Sequence, residues 1–111
     1  MNVNFNGIGE TVATFVADDS LTQAGVPVKV SDSGTAAACD SGDAFCGVCV
    51  GLRDGYAAVQ LRGFATLPAS AEIDAGYRKL AVDSNGAVGV NADGRELLVV
   101  QSTADEVGVL L

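Results

Sequence analysis

Apolar and polar residues alternate along most of the chain in stretches of four to eight, each cut off by Gly, Asp, Asn, Ser or Pro. The clearest case spans residues 46–62, where two alternating runs flank Asp54 and Gly55. That pair suits a two-residue type I′ turn, because both turn positions need positive φ and Asp, Asn and Gly accept it most readily. The turn then dictates a register. Arg53 faces Tyr56, Leu52 faces Ala57, Val50 faces Val59 and Val48 faces Leu61, so one side of the hairpin is apolar and belongs in a core. The other side carries Gly51 with Ala58, Cys49 with Gln60, and Gly47 with Arg62. It reads either as a second core layer or as a subunit contact, because small residues allow close packing in both.

The same alternation predicts strands over 10–16, 26–31, 35–39, 64–67, 77–82, 87–90, 95–102 and 106–111. Pro27 cannot donate to a ladder and so marks an edge or the start of its strand. Gly63 permits a bend, residues 69–76 form a loop across a sheet end, and Asn85-Gly86 and Asp93-Gly94 are turns. Residues 95–102 are apolar on both sides through their middle, the pattern of a central strand covered on both faces. Val107, Val109 and Leu111 share a face and bury the last strand. With no sustained 3.6-residue periodicity, the fold class is all-β: a small Gly-rich β-barrel or sandwich built from short antiparallel strands and hairpins. Residues 10–111 form a single all-β domain, and the Asn-rich residues 1–9 form a flexible N-terminal arm or edge strand.

Composition sharpens this picture. The length of 111 residues suits one core, 49% of residues are apolar, and only 5% are aromatic, so that core is built from Val, Leu and Ala. Fourteen acids against six bases give a net charge of −8, which disfavours nucleic acid and anionic membrane as partners. No apolar run approaches the roughly 20 residues that span a bilayer. The first ten residues lack a basic region followed by an apolar run, so no secretory signal is expected and an intracellular origin follows.

Candidate chemistry is thin. There is no His, Lys29 and Lys79 lie in strand-like stretches without a partnering Ser motif, and no phosphate-binding loop is present. The expectation is a protein that is not an enzyme, with no catalytic residue, metal or cofactor. Cys46 and Cys49 form a C-x-x-C pair, but residues three apart on a strand point to opposite faces, and no second pair completes a zinc site. With Cys39 they are expected to be structural thiols. Asp32, Asp40 and Asp43 supply the oxygens a calcium ion would use, yet their spacing does not match an EF-hand and each suits a turn. Asp83 beside Asn85 is likewise a turn.

Three stretches together carry a resemblance. They are Gly25-Val26-Pro27-Val28-Lys29-Val30 with the Gly34 turn; Asp43-Ala44-Phe45-Cys46-Gly47-Val48 leading through Tyr56-Ala57-Ala58-Val59-Gln60-Leu61-Arg62-Gly63; and Gly76-Tyr77-Arg78-Lys79-Leu80 with the closing hairpin. This pattern resembles the small capsid-decoration, or cement, proteins of tailed phages and prophages. The resemblance implies a structural virion protein, made in the bacterial cytoplasm, that binds the outer surface of the phage head and stabilises its lattice. Its implied partners are the phage major capsid protein and further copies of itself, as a homotrimer. The alternative is a host-encoded small β-barrel module that binds a small ligand or protein, which calls for a pocket with convergent polar groups. An enzyme would instead show a cleft with strongly perturbed carboxylates.

Overall fold

The hairpin is where the fold is decided. In a computed structural model, which describes residues 9–111, Asp54 and Gly55 both have positive φ, 52° and 82°, as the type I′ turn requires. They join β4 (Gly47–Arg53) to β5 (Tyr56–Arg62), and next to the turn Arg53 pairs with Tyr56, Leu52 with Ala57 and Gly51 with Ala58. Beyond Gly51 the expected register fails. Val50 is bulged out, so Cys49 rather than Val50 opposes Val59, and Val48 opposes Gln60 rather than Leu61. The faces of β4 exchange at this point: Val50 is 49% exposed while Cys49 is fully buried. A bulge adds twist and bends the strand, and this strand must curve to close a barrel. Gly47 lies on the far side of the bulge, where a Cβ would run into the carbonyl oxygen of Gln60.

The barrel is a ring of five strands in the order β1-β3-β2-β4-β5, where β1 is Thr11–Ala17, β2 Pro27–Asp32 and β3 Thr35–Ala38. All its neighbours are antiparallel except β1 and β3, which run parallel with Val16 opposite Thr35. A closed ring of purely antiparallel pairs needs an even number of strands. Five therefore force one parallel seam, and the expectation of antiparallel pairing throughout is corrected there. Pro27 stands at the start of β2, where its missing N–H costs no ladder bond. Leu21, Val28, Ala36, Cys49, Ala57 and Val59 fill the interior.

Gly63, at φ 96°, turns the chain out of the barrel into a second, antiparallel sheet of order β6-β10-β9-β7-β8. Its strands are β6 (Phe64–Pro68), β7 (Gly76–Val82), β8 (Val88–Val90), β9 (Arg95–Ser102) and β10 (Glu106–Leu110). β9 is the central strand, as its sequence predicts. Only its inner residues Leu97 and Val99 are buried, however; Leu98 and Val100 on the outside are half-covered. The inner face of this sheet makes a second core with Leu67, Leu80, Val82, Val107 and Val109, and Phe45 and Val48 from the barrel side join it. Polar links tie the sheets together. The Gln60 amide donates to the Phe64 carbonyl at 2.8 Å, Arg95 donates to the Cys46 carbonyl at 3.0 Å, and the Val82 N–H donates to the Asp43 carbonyl at 2.9 Å. The fold is all-β, with no helix among the described residues. Apart from Gly9, the expected N-terminal arm lies outside the described residues.

Candidate functional site

The side chains with the most chemistry are spent on holding loops. Lys29 reaches from β2 to Asp43 at 2.7 Å and to Asp40 at 3.2 Å. Asp43 also accepts the backbone N–H of Asp40 at 2.8 Å. An ammonium therefore sits between the two carboxylates in which a calcium ion could be imagined. Asp32 is engaged elsewhere, accepting the N–H of Ser33. The hydrogen bond from Lys29, then that from the Asp40 backbone, holds the Asp43 carboxyl below its ordinary range, and Asp43 followed by Asp40 holds Lys29 above its own.

Asp83 closes the loop between β7 and β8, accepting the Ser70 hydroxyl at 2.8 Å and the N–H groups of Asn85 and Ala87 at 2.8 and 3.1 Å. Burial works against its ionisation, but these three donors outweigh it and keep the carboxyl below the usual range. Asp18 is lowered for the same kind of reason, chiefly by the N–H of Ser20. These carboxylates are shifted toward permanent ionisation at exposed turns, the opposite of a proton donor poised near neutral pH. Among the described residues no group of three or more His, Cys, Asp or Glu converges as metal ligands would.

The three cysteines are free thiols. Cys49 belongs to the barrel core and Cys46, which precedes β4, packs against the same cluster; Cys39 packs against the other core. The expected opposition of Cys46 and Cys49 across a strand does not arise, because Cys46 lies before the strand begins. Burial, and after it the charge of Asp43, pushes the Cys39 thiol up to about 12, and burial also raises Cys46. Such thiols are poor nucleophiles and poor metal ligands at neutral pH.

Cys39 also lines a cleft of about 210 Å³ with Ser20, Leu21, Val26, Pro27 and Asn85. That is smaller than the roughly 300–1,000 Å³ of typical small-molecule sites, and Cys39 is its one ionisable lining residue; wider surface hollows of about 410, 370 and 350 Å³ lie beside Glu10 and Gln60, beside Gln101 and Glu106, and beside Asp18 and Arg53. The barrel has no open interior to add to it, since core side chains occupy that space.

What the molecule does present is an uncharged β surface. On β1, Ala13, Phe15 and Ala17 turn inward while Val12, Thr14 and Val16 face solvent, and Val12 and Val16 are half-exposed at 51% and 49%. Register places Val12 beside Gln60, Thr14 beside Ala58 and Val16 beside Tyr56 on β5, and Ala58 beside Gly51 on β4. Tyr56 is 55% exposed. Of the small hairpin face expected as a subunit contact or core layer, the structure thus sends Gly47 and Cys49 to the interior and leaves Gly51 and Ala58 on this wall. A second exposed aromatic, Tyr77, stands on the outer face of the other sheet beside Leu98. The wall escaped notice in the sequence because its members come from three strands, and only the Val-Thr-Val alternation of β1 hinted at it. Compared with known proteins, the chain matches no family model and no curated protein.

Proposed function

We propose that the protein is a structural virion component that binds the outer surface of an assembled phage head and stabilises the capsid lattice, with the major capsid protein and other copies of itself as partners. The observation that carries this reading is the division of labour among its side chains. Charged groups fasten turns, both cores are filled, and Val12, Val16, Tyr56 and Tyr77 remain exposed on β faces. Apolar residues left on a solvated sheet face are the mark of a surface that meets other proteins. The alternative, a host-encoded β-barrel module that binds a small ligand or protein, would have to use a surface hollow, since Leu21, Val28, Cys49 and Val59 fill the barrel interior.

Co-sedimentation with heads of a phage or prophage of the source bacterium tests this. The protein is expected to pellet with assembled heads and not with unassembled capsid subunits, and to raise the temperature at which heads release DNA. Failure to pellet with any assembled head, or equal binding to free subunits, would overturn the reading.

A further inference from the structure

We infer that the chain is two tandem copies of one five-strand unit, and that the wall on the first copy seats an aromatic side chain from a partner protein where the second copy uses its own Phe64. The inference stands apart from head decoration: it concerns where a partner's ring lands, whichever protein brings it.

The repeat lies in the strand pairing. β1 runs antiparallel to β5, β2 to β3 and β4, and β4 to β5; in the same chain order β6 runs antiparallel to β10, β7 to β8 and β9, and β9 to β10. The parallel seam recurs as well. Ala17 on β1 meets Ala36 on β3, and Ala69 just after β6 meets Val88 on β8. Even the bulge is repeated: Val50 leaves β4 between the pairs Cys49 with Val59 and Gly51 with Ala58, and Val100 leaves β9 between Val99 with Val109 and Gln101 with Gly108. A bulge falls at one residue of one strand, so its recurrence aligns the copies residue by residue along that hairpin. The copies differ where β2 meets β4 at two positions and β7 meets β9 at five.

That alignment matches Val12 with Phe64, Thr14 with Thr66, Gly51 with Gln101 and Ala58 with Gly108. In the second copy the outer position is closed from within. A Cβ on Gly108 would stand 2.9 Å from two atoms of the Phe64 ring and from Cγ of Gln101, so both side chains lie across this glycine, and Phe64 is only 7% exposed. Aromatic side chains are long enough for such a diagonal reach between strands. In the first copy the same position is open. Val12 is shorter and 51% exposed, and a Cβ on Gly51 would meet no atom within 4 Å. The gap is bordered by Val12, Val16, Ala58 and the half-exposed Tyr56, so an apolar ring suits it.

The footprint sets the size of the occupant. Three strands abreast at about 4.8 Å, each of seven residues at about 3.3 Å, give roughly 23 by 14 Å. That is well below the about 800 Å² per partner of a stable interface. A short partner segment carrying one ring fits it, and a second copy of the chain does not.

Amide shift mapping of the full chain with the peptide acetyl-Ser-Thr-Phe-Thr-Ser-amide, against its counterpart with Ala in place of Phe, tests the inference. Shifts are expected at Thr14, Gly51 and Ala58, saturating at roughly 1 mM for so small a contact, with none at Thr66, Gln101 and Gly108 and none from the Ala peptide. Copying the closure of the second copy into the first, by Val12→Phe, Gly51→Gln and Ala58→Gly together, should abolish binding while cooperative melting is kept. The new ring should also shift the amide at position 58. Gly51→Gln alone, made in open space, should weaken binding about threefold and keeps the test decisive if the triple variant fails to fold. Absence of shifts at the three wall residues, equal shifts at their counterparts in the second copy, equal binding of the Ala peptide, binding that survives these variants, or a grafted ring that leaves position 58 unmoved would each overturn it.

Discussion

Gly47 and Cys39 show how single residues answer to their surroundings rather than to their neighbours in sequence. Gly47 has an ordinary negative φ, so its need for glycine is one of space: a Cβ would collide with the Gln60 carbonyl and press on the Val59 side chain. Gly47→Ala is therefore expected to destabilise by roughly 1–3 kcal/mol in urea denaturation, as overpacking does, whereas Gly51→Ala, with open space around it, should leave stability nearly unchanged. Cys39 carries a pH signature. Its thiol ionises near 9.0 when unfolded and near 12 when folded, so above pH 9 the unfolded chain loses the proton first and is favoured. Stability should be level up to about pH 9 and fall beyond it. Lys29, raised above 10.5, keeps its contribution until higher pH, so the interval from 9 to 10.5 isolates the thiols. Melting midpoints against pH for Cys39→Ala with Cys46→Ala should lose the decline in that interval; an unchanged slope would show that the thiols are not its source. The turn at Asp54-Gly55 was legible in sequence because its backbone requirement belongs to two adjacent residues. That Cys39 would be a structural thiol was legible too, but which core it packs against was not, because that core is assembled mostly from the opposite half of the chain.

At the scale of elements, β4 is where local and global preferences part. Gly47, Val48, Cys49 and Val50 contain no polar side chain to declare which side faces solvent, so alternation from the turn fixes the register for only three pairs. Barrel curvature then imposes the bulge at Val50. Two substitutions separate the observed strand from the uninterrupted one. Val50→Asp, at a half-exposed bulge, should change stability by no more than about 0.5 kcal/mol, while Val59→Asp, in the filled barrel, should cost about 3–5 kcal/mol or prevent folding, because its charge has no partner. Equal damage from both in thermal melts would restore the unbulged register. The parallel seam between β1 and β3 was illegible for a different reason. It follows from the odd strand number of the ring, which no local stretch encodes. The loop between β7 and β8 behaves more simply: Asp83 holds the Asn85 and Ala87 N–H groups, so Asp83→Ala should speed hydrogen exchange there while the β9 amides stay protected.

For the whole molecule, the second sheet depends on its last strand. β10 lies between β6 and β9, and Val109 is fully buried beside Leu67 and Val107 in the shared core, while the Leu111 N–H bonds to Gly63 where the chain leaves the barrel. Deleting residues 109–111 should abolish cooperative melting of that sheet, a dependence that the apolar alternation of 106–111 already foretold. The wall on the barrel was only partly foretold, since it gathers β1 with a hairpin some forty residues away in sequence. The most direct test of the idea that the molecule works through this wall, and not through a pocket, is amide hydrogen exchange of the protein free and bound to assembled heads. Protection gained on binding should centre on Val12, Thr14, Val16, Tyr56 and Ala58. Changes centred instead on Ser20, Leu21 and Cys39 around the cleft, or on Tyr77 and Leu98, would contradict it.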